Sequence, residues 1–383
     1  MRALIYALAL NKVGGGSRTL CNLLRHAGTI APNDFFRVLT ASPAIVQTEM
    51  AGAVPPNVEI ISCPRENAFG RVWADNVTLP RAARACDADV IYSPFVYSSL
   101  RPPVPQVVAQ SNALQYSHYY ETRCSPWEAA KLRVRRLLAY RTMLASKAVV
   151  VNTRATQRLI QECFPNLGNE KFVLIPHPDD SDDYANGKRF SSVGQDSAAE
   201  ALPVVLYISH FAPYKGHLEL IRAMRAVFAD GIRFNLLVTV AEGDWPAGYE
   251  PLMREIVLAG LRRYVVNLGR ISQRDAIAAY GRASVFVFPS YVESFGLPLR
   301  DALANALPIV AADTEVNREI AGGGALYYPV GDTSALAAHL SHLLTNSSTK
   351  ERLSTQGKLH YASTRTTKSD NAAAVFSLLR SLC

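Results

Sequence analysis

The segment 285–301, VFVFPSYVESFGLPLRD, constrains the fold more than any other part of the chain. It opens with four β-branched or aromatic residues, 285–288, which is typical of a strand buried on both faces of a sheet. A proline and a serine end this strand, Gly296 allows a tight loop, and Pro298 is tolerated in the first turn of a helix. The pattern therefore predicts a buried strand, a loop and a helix, in that order.

Two carboxylates lie in this segment. Glu293 falls in the loop at the carboxyl end of the predicted strand, and Asp301 falls one turn into the predicted helix. A helix N-terminus between them favours a phosphate, and ligands of open α/β sheets bind at the carboxyl ends of the strands. The alternatives are a solvated loop carboxylate for Glu293 and a helix acid favoured by the dipole for Asp301.

The rest of the chain predicts two α/β domains. A chain of 383 residues is too long for one ordinary core, and strands alternate with helices in both halves, which predicts doubly wound parallel sheets. The polar stretch 181–202 is predicted to be a linker between domains 1–180 and 203–365. The predicted strands are 3–10, 36–40, 58–62, 90–93, 107–110, 148–152, 172–175, 203–209, 234–240, 264–268, 285–288 and 308–311. The predicted helices include 17–25, 127–145, 154–163, 250–260, 273–282, 333–344 and 369–381.

Composition narrows the class of protein. A hydrophobic content of 49% with 19% charged residues excludes a disordered chain, and the net charge of +8 favours an anionic partner. Zinc-finger spacing, an aromatic RNA motif and a basic tail are all missing, so nucleic acid is not expected to be a partner. Six scattered cysteines without a C-x-x-C pair predict reduced thiols in a cytoplasmic protein. No apolar run is long enough to span a bilayer, and the apolar N-terminus is interpreted as a first strand.

The segment PSYVESFGLP and the following ALANALPIVAAD (302–313) resemble the donor-site signature of the retaining glycosyltransferases of family 4, which belong to the group 1 glycosyl transferases. The resemblance continues through 317–320 and 328–332. It is specific over roughly 203–340 and weaker over the first half. It implies the GT-B fold, in which two Rossmann-like domains face a cleft, and it implies that a C-terminal helix within 366–383 returns to the first domain.

The resemblance also implies a donor site. The family carries two glutamates separated by seven residues; Glu293 matches the first, beside the donor sugar and phosphates, and Asp301 stands at the second, which binds the ribose. Lys215 matches the family lysine that holds the diphosphate. Ser209 and His210 stand where the family has glycine and arginine. The loop and first helical turn that complete the predicted site are Phe295, Gly296 and Leu297.

Further candidate residues follow from the same resemblance. Arg270 lies in the segment 267–271, which matches a loop whose backbone contacts the nucleobase in the family; the alternatives for Arg270 are contact with the nucleotide and simple exposure. Asn112 stands where the family often has a residue near both sugars, although a turn or cap role is an equal alternative. Gly15 and Gly16 match the loop after the first strand, which lies in the cleft. A nicotinamide-binding fold also uses such a loop, but its third glycine would be Thr19 here. His118 is a weaker candidate near Asn112.

The expected function is transfer of a sugar, with retention, from a nucleotide-diphosphate sugar to a hydroxyl acceptor. The acceptor would be a saccharide or a lipid-linked saccharide in bacterial polysaccharide, lipopolysaccharide or glycolipid synthesis. Catalysis is assigned to Glu293, Lys215 and Asn112, with no metal, because protein cations and backbone dipoles would stabilise the leaving diphosphate. The alternatives are a non-catalytic relative that binds sugar nucleotides, a dinucleotide-dependent oxidoreductase and a sugar-nucleotide epimerase of the same fold.

A basic helix predicted within 127–147 adds one partner. Lysines and arginines interleave with apolar residues there, which suits an anionic membrane surface such as the inner face of the cytoplasmic membrane. An ordinary solvated helix face is the alternative.

Overall fold

The computed structural model describes residues 1–10, 14–64, 68–179 and 202–383. The chain forms two compact units. The first contains Met1–Pro178 together with Thr366–Cys383, and the second contains Asp179–Arg365. The predicted linker 181–202 lies outside the described residues except for Leu202.

The first unit is built on a seven-stranded sheet in which every neighbouring pair is parallel. The order across the sheet is β3-β2-β1-β4-β5-β6-β7. Alternate residues of β1 pack on opposite faces: Ile5 joins the hydrophobic cluster on one face, and Leu4 and Tyr6 join a second cluster. The strands are β1 (Arg2–Tyr6), β2 (Phe35–Thr40), β3 (Val58–Ser62), β4 (Val90–Ser93), β5 (Gln106–Ala109), β6 (Ala148–Val151) and β7 (Phe172–Leu174).

Helices connect these strands, as parallel strands require. The helices of the first unit are α1 (Gly15–Ile30), α2 (Pro43–Met50), α3 (Ala68–Trp73), α4 (Leu79–Ala85), α5 (His118–Glu121), α6 (Pro126–Ala145), α7 (Arg154–Cys163) and α15 (Lys368–Arg380), with a π-helical turn, Ala74–Thr78, between α3 and α4. The last helix packs with α1, and its Phe376 ring lies 4.9 Å from the ring of Phe36. The C-terminal segment is therefore part of the core of the first unit.

The second unit has a six-stranded sheet of order β10-β9-β8-β11-β12-β13, again with every neighbouring pair parallel. The strands are β8 (Val204–Tyr207), β9 (Asn235–Val238), β10 (Val265–Asn267), β11 (Val285–Phe288), β12 (Ile309–Ala312) and β13 (Ala325–Tyr328). The helices are α8 (His217–Ala229), α9 (Pro246–Leu258), α10 (Gln273–Arg282), α11 (Leu297–Ala304), α12 (Glu315–Ala321), α13 (Thr333–Thr345) and α14 (Ser347–Thr364). All four residues of β11 are buried, as its apolar sequence predicts.

Several element bounds differ from the sequence-based predictions. The first strand ends at Tyr6 instead of residue 10, because residues 8 and 9 form a turn. The predictions omitted β13, which is only four residues long, and α14, whose sequence SSTKERLSTQGKLHYAST has too few apolar residues to form a stripe. Among the described residues, no helix is both long enough and apolar enough to cross a membrane.

Candidate active site

Lys215 ends a short turn between β8 and α8. The turn is a single 3-10 turn, Pro213–Lys215, and Gly216 follows it with a left-handed φ of 68°. A Cβ atom on Gly216 would lie 2.5 Å from the carbonyl oxygen of Pro289, so this close approach of two backbones requires glycine. The Tyr207 hydroxyl also donates a hydrogen bond of 2.6 Å to the carbonyl oxygen of Lys215. The backbone at Lys215 is thereby fixed against the end of β11.

Glu293 lies in the loop that joins β11 to α11. Asn317 is fully buried, and its side-chain amide donates to the carbonyl oxygens of Ser290 and Ala312, at 3.1 and 2.9 Å. The backbone N–H of Tyr291 donates to the carbonyl oxygen of Tyr214 at 3.2 Å. These bonds hold the loop between β12 and the lysine turn, and so determine where Glu293 points.

Lys215 and Glu293 form an ion pair. The ammonium nitrogen of Lys215 lies 2.6 Å from Oε1 of Glu293, and the two side chains are 7% and 13% exposed. They follow β8 and β11, which are neighbours in the sheet at the point where the strand order reverses. In open parallel sheets, ligands bind outside the carboxyl ends of the strands at this point.

A helix N-terminus stands beside this pair in sequence. Gly296 has a left-handed φ of 79° and is the N-cap of α11, which begins at Leu297, while Phe295 is buried. Backbone N–H groups at a helix start favour a bound anion. Asp301 lies one turn into the same helix and is half-buried. A cation and a helix start on adjacent loops can together stabilise a leaving phosphate.

The residues that follow β8 have local partners. The backbone N–H of Ser209 donates to the Thr239 hydroxyl at 2.9 Å, and that hydroxyl donates to the Ser209 carbonyl oxygen at 2.8 Å. His210 is exposed, and its Nε2 lies 3.0 Å from the Tyr214 hydroxyl. Ser209 therefore ties β8 to the end of β9, and His210 packs on the lysine turn.

Arg270 lies farther along the same edge of the sheet. It follows β10, which is the edge strand two positions from β8. Its guanidinium is exposed and lies 2.6 Å from a carboxylate oxygen of Asp244. Within the described ranges, no group of three or more His, Cys, Asp or Glu side chains could hold a metal ion.

Three predicted residues belong to the first unit. Gly15 and Gly16 form the first turn of α1, and a Cβ atom on Gly16 would lie 3.0 Å from the Phe95 ring. Asn112 is exposed in the loop after β5, and its side-chain oxygen accepts a hydrogen bond of 2.9 Å from the backbone N–H of Leu114. Asn112 therefore has a local contact typical of a turn residue, which is the alternative that the sequence left open for it.

Sequence analysis did not find Arg300, which the structure places in α11 next to Asp301. Its guanidinium binds both carboxylate oxygens of Asp179, at 2.8 and 3.0 Å, and the side chains are 4% and 2% exposed. It also donates to the Thr364 hydroxyl at 2.7 Å and lies 4.4 Å from the centre of the Tyr361 ring. Helix α11 is thus anchored to residues at both ends of the second unit. A spacing of 121 residues gives no local signal for this pair.

Sequence analysis also missed the role of His217, the first residue of α8. It is buried between the rings of Tyr207 and Phe211, whose centres lie 4.8 and 5.1 Å away. Neither ring nitrogen has a hydrogen-bond partner in the described part of the chain. Burial, with smaller contributions from the charges of Lys215 and His210, lowers the pKa of His217 to about 3. A neutral imidazole therefore lies directly behind the lysine turn.

Part of the sequence is similar to known glycosyltransferases. Residues 192–360 match the family model described as glycosyl transferases group 1. This match supports a relationship between the chain and the group 1 glycosyltransferases. O-antigen chain mannosyltransferase B of Escherichia coli is 28% identical over 174 residues, 42% of this chain and 45% of that protein. A phosphatidyl-myo-inositol mannosyltransferase of Mycobacterium leprae is 32% identical over 152 residues, 39% of each chain.

The structure of the chain is also similar to solved structures. The structure of Anabaena HepE in complex with UDP and glucose superposes with a TM-score of 0.72, at 17% identity and covering 100% of both chains. Both units are parallel-sheet Rossmann-like domains, and the fold is GT-B. The chain spans less than half the length of the two mannosyltransferases named above.

Proposed function

We propose that the protein is a retaining glycosyltransferase that moves a sugar from a nucleotide-diphosphate sugar to a hydroxyl acceptor. The observation that carries the proposal is the buried Lys215–Glu293 pair at the carboxyl edge of the second sheet. Because a buried charge pair is a poor source of net stability, its presence in a ligand-binding position favours a functional role.

In this proposal each group of the site has one task. Lys215 and the N-terminus of α11 at Gly296–Leu297 stabilise the leaving diphosphate, whose charge grows as the glycosidic bond breaks. Asp301 accepts a hydrogen bond from the ribose, and Glu293 contacts the donor sugar. The leaving phosphate takes the acceptor proton, and no metal takes part because Lys215 supplies the positive charge.

The named relatives suggest a setting. Two of them are mannosyltransferases, and one of these acts on O-antigen chains by its name. We therefore propose a mannosyl or related hexosyl donor, and an acceptor that belongs to a bacterial polysaccharide, lipopolysaccharide or glycolipid. The first candidates to test are GDP- and UDP-hexoses.

A second function, sugar-nucleotide binding without transfer, is favoured by two departures from the family pattern. His210 stands where the family has an arginine, so one fixed cation is replaced by an imidazole that packs on Tyr214. Asp301 is one methylene shorter than the family glutamate. Release of free nucleotide in the presence of acceptor would exclude this alternative.

The experiment that tests the main proposal is a thermal-shift titration with UDP, GDP, ADP, dTDP and NAD, followed by turnover with the matching sugar nucleotide. A ligand at a hundredfold its dissociation constant adds about 2.7 kcal/mol to stability, so a specific nucleotide diphosphate should raise the melting temperature visibly. The Lys215→Ala variant should lose this shift. A shift by NAD with none by any nucleoside diphosphate would instead indicate the oxidoreductase.

We further propose that α6 binds an anionic membrane surface. The exposed apolar residues of this helix are Trp127, Val134, Leu137 and Leu144, which lie three or seven residues apart and so share one face. Trp127 is 70% exposed. The exposed Arg141 lies within this face, four residues after Leu137 and three before Leu144, and the exposed Arg135 lies to one side of it. Exposed apolar side chains with cations among and beside them fit the interface of anionic lipids.

Vesicle flotation tests this surface. Vesicles with anionic lipid should carry the protein, and neutral phosphatidylcholine vesicles should carry much less. Trp127→Ser/Leu137→Ser should reduce the bound fraction at least threefold, whereas Leu258→Ser, which removes an exposed apolar residue from α9, should not. Equal flotation of the two variants would assign membrane binding, if any, to another surface.

A further inference from the structure

The ammonium group of Lys215 is held by a carboxylate. It lies 2.6 Å from Oε1 of Glu293, and the two side chains are 7% and 13% exposed. The centre of the Tyr214 ring lies 5.2 Å from the same nitrogen. Within the described part of the chain, neither charged side chain forms another hydrogen bond or ion pair. Lys215 and Glu293 therefore neutralise each other.

The backbone on each side of this pair is held independently of the pair. The Tyr207 hydroxyl donates to the carbonyl oxygen of Lys215 at 2.6 Å. The buried side-chain amide of Asn317 donates to the carbonyl oxygen of Ser290, in the loop that carries Glu293, at 3.1 Å. Both bonds are made to backbone oxygens, whereas the ammonium group moves on a flexible four-carbon side chain. The two charges can therefore separate without a rearrangement of either loop.

A diphosphate and Glu293 compete for the same ammonium group. An ammonium group has three N–H donors and no acceptor, so both anions bind it in the same way. If both bind together, a carboxylate and a phosphate lie side by side in a buried place, where like charges repel more strongly than in water. If the carboxylate leaves, it needs another donor, because an unpaired buried carboxylate is costly. Glu293 therefore weakens the binding of a diphosphate that carries no sugar.

A sugar attached to the diphosphate removes this penalty. Sugar hydroxyl groups donate hydrogen bonds, and a carboxylate accepts them. Glu293 can then exchange the ammonium group for the sugar hydroxyls while Lys215 turns to the phosphate, so that every charged group keeps a partner. The carboxylate thereby distinguishes a nucleotide sugar from the nucleoside diphosphate that remains after transfer.

We infer that the Lys215–Glu293 pair is a latch that weakens the binding of a nucleoside diphosphate and opens for a nucleotide sugar. After transfer the carboxylate loses its hydroxyl donors and takes back the ammonium group, which favours release of the product. The inference rests on the proposed function for the identity of the two ligands. The latch goes beyond that function, because transfer needs a cation at the diphosphate and a contact with the sugar but does not need these two side chains to bind each other.

The test measures nucleotide binding to the full chain by isothermal titration, with GDP against GDP-mannose and UDP against UDP-glucose as matched ligands. Glu293→Gln removes the charge that holds Lys215 and keeps the shape of the side chain. It should bind the nucleoside diphosphate about tenfold more tightly than the unsubstituted protein does, as the gain of a hydrogen bond to a charged group implies. The nucleotide sugar should gain much less. Unchanged or weaker binding of the diphosphate by Glu293→Gln would overturn the inference.

Glu219→Gln is the matched control for the loss of a negative charge. Glu219 lies in the first turn of α8. Burial raises the pKa of Tyr207 well above its ordinary value, and the charges of Glu293 and Glu219 both add to this rise, so both carboxylates act on the same region. Among the described residues, the ammonium group of Lys215 pairs with Glu293 and not with Glu219. The control should leave diphosphate binding nearly unchanged, and an equal gain in both variants would assign the effect to general repulsion instead of the latch.

Two further variants test the part that Lys215 has in the latch. Lys215→Met and Lys215→Met/Glu293→Gln should bind the diphosphate equally weakly, because the ammonium group that the second substitution frees is gone. A tenfold gain in this background as well would overturn the inference. Glu293→Asp keeps the buried charge but shortens its reach by one methylene, so it serves if Glu293→Gln does not fold, and it should tighten diphosphate binding in the same direction.

The same titrations separate this inference from the proposed function. Equal binding of the diphosphate by the unsubstituted protein and by Glu293→Gln would overturn the latch and leave the transferase proposal standing. If no nucleotide and no nucleotide sugar binds to any of these proteins, both the latch and the proposed function are wrong.

Discussion

The ammonium group of Lys215 lies 2.6 Å from the carboxylate of Glu293, although 78 residues separate them in the chain. Both side chains are almost fully buried. Each arrives there because a buried parallel strand ends just before it, and β8 and β11 are neighbours in the sheet. The pair is therefore a product of sheet order, and removing either charge tests both its structural and its chemical role.

Lys215→Met should destabilise the protein and abolish efficient transfer. It leaves the Glu293 carboxylate buried without its partner, which costs about 3–5 kcal/mol of unfolding free energy, and loss of the cation should raise the reaction barrier by about 2–4 kcal/mol. Denaturant titration and initial-rate kinetics measure the two effects. The control is Lys131→Met, which breaks an exposed pair with Glu128 and should cost less than about 1 kcal/mol.

The double variant Lys215→Met/Glu293→Gln separates the two roles. Without either charge, no uncompensated ion remains buried, so much of the lost stability should return while transfer stays low. If transfer returned together with stability, Lys215 would have only a structural role.

Gly216→Ala should destabilise the lysine turn and weaken nucleotide binding. The new Cβ atom would lie 2.5 Å from the Pro289 carbonyl oxygen, so the turn must move away from β11. Gly231→Ala is the matched control, since its φ of 85° is also left-handed but no described atom lies within 4 Å of the added Cβ. The control should cost about 1–2 kcal/mol from backbone conformation alone. Similar losses of stability in both variants would argue against the close approach at Gly216.

Arg300→Met should unfold the second unit at a lower denaturant concentration. It removes the cation that binds Asp179 in a buried site, for a cost of about 3–5 kcal/mol. Arg318→Met, which breaks the more exposed pair with Asp313, should cost less than about 1 kcal/mol. A small effect of Arg300→Met, equal to that of the control, would show that the guanidinium does not anchor α11.

The stability of the protein should fall between pH 7 and pH 5. His217 has a pKa of about 3 in the folded chain against an ordinary value of 6.5, so below pH 6.5 the unfolded chain binds a proton that the folded chain does not. The unfolding free energy therefore falls with pH, by about 2 kcal/mol at pH 5 for this one residue. In denaturant titrations, the unfolding free energy of His217→Phe should differ less between pH 7 and pH 5 than that of the unsubstituted protein. If the variant loses as much unfolding free energy as the unsubstituted protein, His217 is not the cause of the pH dependence.

Much of the fold was predictable from the sequence because the signals are local. The strands at 58–62, 90–93 and 285–288 have the predicted bounds, since short β-branched or aromatic runs end at turn-forming residues. The start of α11 after Gly296 was predicted from the same local chemistry. The four-residue β13 was not predicted, because its sequence ALYY lacks a periodic pattern long enough to identify.

The sequence by itself determined that the chain forms two parallel-sheet α/β domains, and it predicted Lys215, Glu293 and Gly296 as parts of one site. Only the tertiary structure decided how these groups meet. The pairing of Lys215 with Glu293 and the buried bond between Arg300 and Asp179 both join residues that are distant in the chain. Such contacts depend on strand order and packing, and no local propensity encodes them.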